Sequence, residues 1–156
     1  MISTRSPTAV IDDAGSRYVA TSFASTGTRD VAALVGRILL AVMFVVSGFG
    51  KITGFDGTVG YIASKGLPVP ALLAAAAIAI ELGGGLAILA GWMTRWVAVA
   101  FMLFLVVITP IFHNFWAAPE AQHAMQQINF MKNVSILGGF LILFAFGPGR
   151  YSIDRG

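Results

Sequence analysis

Ala71-Leu72-Leu73-Ala74-Ala75-Ala76-Ala77-Ile78-Ala79-Ile80-Glu81-Leu82-Gly83-Gly84-Gly85-Leu86-Ala87-Ile88-Leu89-Ala90-Gly91 is a run of twenty-one residues in which Glu81 alone carries a charge. A helix needs ~20 mostly apolar residues to cross the hydrocarbon of a bilayer, and this run has that length. Three further apolar segments surround it, roughly Val31 to Ile52, Trp96 to Phe112 and Ile128 to Phe146. The connections hold the expected breakers: Gly54, Gly57, Gly66, Pro68 and Pro70, then Gly91 and Thr94, then Pro119. Gly147-Pro148-Gly149 closes the last segment. Short links favour antiparallel neighbours, so the pattern predicts an all-α integral membrane four-helix up-and-down bundle with helices at about 31–52, 71–92, 96–112 and 128–146.

Composition agrees with lipid as the solvent, since 57% of the chain is hydrophobic and only 11% charged. A net charge of +3 raises the question of nucleic acid, but the basic residues stand singly and build no patch, so no nucleic-acid partner is expected. Cysteine is absent. The chain therefore supplies neither thiol chemistry nor a thiolate metal site, and a redox role requires a bound cofactor or a partner. No HExxH, GxSxG or phosphate-loop pattern is present, no metal site is read, and no catalytic residue is assigned.

Residues 1–29 are rich in Ser and Thr without apolar periodicity and read as a mobile N-terminal tail rather than a signal peptide, because the first apolar run starts only near Val31. The four-helix domain is then 30–147, with 148–156 as a C-terminal tail. Four crossings put both termini on one side, together with Arg5, Arg17, Arg29, Arg95, Arg150 and Arg155, whereas Lys51, Lys65 and Lys132 fall opposite. That excess predicts cytoplasmic termini. Trp92 and Trp96 near one face and Trp116 near the other fit an aromatic belt, with packing tryptophans as the alternative.

Charges within the apolar runs point to function. Glu81 has ten nearly wholly apolar residues on each side and belongs near the bilayer centre, where an acid costs about 2.5 to 3.5 kcal/mol and must face the bundle interior. Arg37 and Lys51 bracket thirteen uncharged residues, too short a stretch to span ~30 Å at about 1.5 Å per residue. At least one of them dips into the membrane, the other reading being that both snorkel. Both share a helical face with Phe44 and Gly48, and rough depth puts Arg37 nearer to Glu81 than Lys51 is.

An intramembrane polar network of Arg37, Lys51, Glu81, Lys132 and Asn133 follows from these positions. Asn129 and Asn133 stack on one face of the last helix, and His113 ends the third helix on the same side of the membrane. His113, Asn129, Asn133, Lys51 and Glu81 are thus the expected ligand pocket, although His113 also fits a wetted interfacial residue. His123 reads as a loop residue. Gly83-Gly84-Gly85, Ala74 to Ala77 and Gly138-Gly139 read as contact surfaces for close helix packing.

Gly36-Arg37-Ile38-Leu39-Leu40, Val46-Ser47-Gly48-Phe49-Gly50-Lys51-Ile52, Glu81 with its glycines, Gly91 to Arg95, and Phe130-Met131-Lys132-Asn133 together resemble the DoxX family over about Val31 to Phe146. The resemblance implies a small four-helix protein of the bacterial inner membrane whose relatives include quinone-linked oxidoreductase subunits. Fold-level analogy licenses only an expectation of activity, and three readings stay open. One is a quinone-type small-molecule binding or accessory subunit of a membrane oxidoreductase assembly, with a membrane or peripheral redox partner. Another is a structural or assembly protein with a buried Arg37–Glu81 pair and no turnover. The third is a small-solute or lipid carrier, for which so short a bundle requires a homo-oligomer.

Overall fold

The computed structural model describes residues 9–11, 17–19 and 26–154. Its frame is four helical spans, Gly27–Thr53, Pro70–Ala90, Thr94–Ala117 and Glu120–Phe146, running up and down as the hydropathy pattern requires. Near the N-terminus Ala9–Ile11 and Arg17–Val19 pair as a short antiparallel ribbon. The rest of the expected tail up to residue 25 lies outside the described residues, as do residues 155 and 156.

The first span is helix α1, Thr26–Thr53. The connection expected after it contains a second helix, α2, Phe55–Ser64, whose Ile62 is buried. The second span begins with α3, Pro70–Ile78, for which Pro70 supplies a prepaid first-turn φ. It continues through a π-helical turn, Ala79–Gly84, and ends as α4, Gly85–Ala90. The third span is α5, Thr94–Phe112, followed by a single 3-10 turn, Phe115–Ala117. The fourth, α6, Glu120–Phe146, starts eight residues before the expected boundary, because Glu120–Gln127 is helical but too polar for an apolar-run criterion.

Outward faces carry Leu39, Val46, Leu72, Leu103 and Ile142, all well exposed, as suits lipid contact. Trp92, Trp96 and Trp116 are each more than half exposed, which favours the belt over internal packing. The core is narrow and aromatic. Phe101 and Phe140 stack at 4.7 Å, and Phe44 packs on Phe101 at 4.3 Å and on Phe140 at 5.6 Å. All three rings are buried, with Ala41, Ile88, Ala98, Leu105 and Leu143 around them.

Small residues set how the first two spans meet. A Cβ on Gly48 would lie 2.8 Å from the backbone nitrogen of Leu82, and one on Gly85 would lie 2.9 Å from the Val45 side chain. A Cβ on Gly91 would collide with the Arg37 guanidinium. Gly48 therefore opposes Leu82, Val45 opposes Gly85 and Arg37 opposes Gly91, an antiparallel register built on backbone approach. Of the other glycines expected to pack, Gly84 lies against Phe101 and Gly139 against Leu40, whereas Gly83 and Gly138 face open space.

The residues expected to form a C-terminal tail fold back onto the bundle. Ile153 N–H donates to the Ala90 carbonyl at 3.2 Å and Asp154 N–H to the Gly91 carbonyl at 2.9 Å, capping the end of α4. The Asp154 carboxylate accepts from Met93 N–H at 2.9 Å and Thr94 N–H at 2.7 Å, capping the start of α5 from sixty residues away. Met93, the N-cap position, has a left-handed backbone with φ 48°, and no cap bond comes from its own side chain. Arg150 N–H meets Asp30, and Gly149 packs against Ala33. The segment clasps the first, second and third spans on the termini side.

Candidate functional site

Glu81 sits in the π turn, buried and on the bundle interior. A π turn inserts one residue per turn relative to an α-helix and re-aims the side chains that follow. The close approach of Gly48 to Leu82 brings the next turn of α1 against this segment. Lys51, three residues beyond Gly48, donates to Glu81 Oε2 at 2.7 Å and to Ser47 Oγ at 2.7 Å. The Glu81 side chain is 6% exposed and that of Lys51 28%. The acid is enclosed and its cation is open on one flank.

That flank is a cavity of about 530 Å³ lying between α1, α2, α3, the π turn, α5 and the middle of α6. Its polar lining comprises Ser47, Lys51, Thr58, Tyr61, Glu81, His113, Lys132 and Asn133; the remainder is apolar, including Phe44, Ile80 and Phe104. The volume is within the ~300–1,000 Å³ typical of small-molecule sites, and the pattern of an apolar wall with a few convergent polar groups is that of a binding pocket.

Four of the five expected pocket residues, Lys51, Glu81, His113 and Asn133, line this cavity together with Lys132. Asn129 does not; its side-chain oxygen accepts from Lys132 Nζ at 3.1 Å. Asn133 is buried and donates to Thr109 Oγ1 at 3.1 Å, tying the fourth span to the third beside the cavity. His113 Nδ1 lies 3.0 Å from Gln126 Oε1. His123 sits edge-on to Phe115, away from the cavity lining.

Arg37 is the correction. Depth alone puts it nearer to Glu81 than Lys51 is, but the helix register sets it at Gly91, on the termini side, where its Nη2 donates to the Tyr151 carbonyl. It is 1% exposed, and Nε and Nη1 have no hydrogen-bond partner among the described residues. From Arg37 to Lys51 the helix rises about 21 Å, and the Phe44, Phe101 and Phe140 rings pack between the two levels. The buried Arg37–Glu81 pair does not form, and the Arg37, Lys51 and Glu81 stripe does not line a continuous path.

Ser47, Thr58, Tyr61 and Thr109 escaped the sequence reading. Ser47 was recoverable, being one turn before Lys51 on the same face, and Thr109 is a lone hydroxyl within an apolar span. Tyr61 was not, because it depends on α2 folding over the cavity.

Comparison with known proteins places this architecture. The DoxX family model matches residues 32–114. Inner membrane protein YphA of Escherichia coli is 42% identical over 127 residues, covering 81% of this chain and 91% of that protein. Inner membrane protein YqjF of the same organism is 44% identical over 127 residues, covering 81% and 92%. A shorter match, 36% identical over 77 residues, covers 49% of this chain and 56% of the putative oxidoreductase CatD of Bacillus subtilis. No solved structure matches the chain.

Proposed function

The chain belongs to the DoxX family of inner-membrane proteins, and from that premise we propose that its cavity binds the oxygen-bearing head of a small quinone-type molecule as a subunit of a membrane oxidoreductase assembly. The observation that carries this reading is the half-open Lys51–Glu81 pair on the wall of an otherwise apolar chamber. A pair serving only to fix helix register gains nothing from leaving its cation accessible to a cavity.

The donor set fits a quinone head. Lys51 Nζ has one hydrogen beyond those given to Glu81 and Ser47, Lys132 and the Asn133 amide also line the cavity, and a carbonyl oxygen accepts from any of them. Phe104, Ile80 and Phe44 offer apolar faces to a flat ring. Glu81, held by Lys51, is positioned to exchange a proton through the lysine ammonium when charge on the ligand changes. A quinone, when bound, supplies the electron-accepting chemistry. The cysteine-free chain contributes no thiol couple, so the electrons come from a partner, and the shorter resemblance to CatD, named as a putative oxidoreductase, supports such an association. We infer cytoplasmic termini from the arginines on that side.

The test is to extract the protein with its surrounding lipid, without detergent, and identify bound small molecules by mass spectrometry of an organic extract. A quinone should co-purify with the native chain at a near-stoichiometric level and fall by about tenfold or more in Lys51→Met, a change of the size of one charge-assisted hydrogen bond. Equal quinone in native and variant protein of unchanged fold would sink the assignment.

A further inference from the structure

Resting on the binding reading above, we propose that the ligand enters sideways from the bilayer between the second and third spans, and that its hydrocarbon tail stays in that gap while its head meets Lys51 and Glu81. The two halves of the bundle are joined unevenly. The first span packs along the second, and the third along the fourth. Across the halves, the second span reaches the third only through the π turn and α4, while α3 makes no close approach to α5 or α6. The bundle is therefore a wedge, closed on the termini side by the three phenylalanines and parted in its other half.

The cavity occupies the parted half. Leu73, Ala76, Ala77 and Ile80 line it from the second span, and Phe104, Val107, Ile108 and Ile111 from the third. Leu73 and Val107 also reach the outer surface, with 36% and 57% exposure, so the lining continues onto the lipid face. Every residue along this gap is apolar. A water-soluble solute gains nothing from such a mouth, whereas an alkyl or isoprenoid chain passes from lipid to protein without crossing a polar surface.

The aqueous side is roofed. Helix α2 crosses above the cavity, its buried Ile62 and its Tyr61 facing in, and the Tyr61 ring lies 5.4 Å from that of Phe112 at the end of α5. Leu67 adds to this cover. The polar groups are at the inner wall and the roof and the apolar mouth is lateral, so the complementary molecule is a membrane amphiphile with a compact oxygen-bearing head and a narrow tail. Quinones and certain lipids share that chemistry, and the organic extract tells them apart.

The experiment uses the full chain in nanodiscs and two probes, a benzoquinone with a decyl tail and the same ring without one, read by ligand-induced thermal stabilisation. In Val107→Trp, which fills the gap from a lipid-exposed position, the tailed probe should bind about tenfold more weakly and the tail-less ring within about twofold of the native chain. Ala77→Phe, on the opposite lip, should reproduce this. If both probes bind both variants as they bind the native protein, the lateral route is wrong and the head site stands. If neither probe binds the native protein, the binding reading falls with it.

Discussion

At the scale of single residues, the Lys51–Glu81 pair is asymmetric, and the asymmetry predicts its energetics. Removing one partner of a buried ion pair costs about 3 to 5 kcal/mol, whereas replacing both with apolar groups of similar volume is often neutral or stabilising. Lys51→Met leaves the enclosed Glu81 without its cation, so this variant should approach the upper part of that range at neutral pH. Glu81→Leu leaves a lysine that retains Ser47 and has a long stem toward the cavity, and should cost less. The double variant should recover most of the stability of the native chain while losing the bound head group. Thermal unfolding of the four proteins in one bilayer mimetic forms the double-mutant cycle. A double variant as unstable as Lys51→Met alone would show that the polar pair itself holds the helices together.

At the scale of elements, the C-terminal clasp is the least expected piece, and it carries a pH dependence. Partial burial raises the Asp154 pKa, but the hydrogen bonds from Thr94 and Met93 and the nearby Arg37 charge outweigh it and hold the carboxyl below its ordinary value of 3.8. A depressed carboxyl pKa stabilises the docked state fully above the unfolded value, and that contribution is lost as pH falls toward the lower, folded value. The protection of the Ile153 and Asp154 amides against hydrogen exchange, corrected for the intrinsic rate at each pH, should therefore be high at neutral pH and fall below about pH 4. In Asp154→Asn the same amides should exchange faster at neutral pH and lose that acid dependence. The clasp was not legible in the sequence, since Gly-Pro-Gly after the last apolar run reads as an ending, and a cap that reaches back from Asp154 to Thr94 leaves no local pattern. Helix α2 was hidden for another reason: Gly54 and Gly57 look like breakers until the segment packs against α3. Glu81 was legible because a charge inside an apolar run has no cheap alternative to the interior. Its partner was not, because partner choice depends on the register set by Gly48 against Leu82.

At the scale of the molecule, the four spans, the wedge and the charge distribution combine into a statement about sidedness. In the described bundle Arg29, Arg37, Arg95 and Arg150 fall at the termini side and Lys51, Lys65 and Lys132 at the other. Arginine on the termini side is partly structural, since Arg37 holds the clasp, but Arg29, Arg95 and Arg150 are exposed and free to follow the positive-inside bias. The absence of native cysteine makes the test direct. Single cysteines at Asp56, exposed in α2, and at Arg95, exposed at the start of α5, lie on opposite faces. In intact spheroplasts a membrane-impermeant maleimide should label Asp56→Cys and spare Arg95→Cys until the membrane is permeabilised. This outcome sets the roof formed by α2 toward the periplasm and the clasp in the cytoplasm, so the redox partner proposed above would meet α2 and the α5–α6 connection rather than the termini. The reverse labelling would turn the chamber toward the cytoplasm and require the partner on that side, with the lateral mouth unchanged.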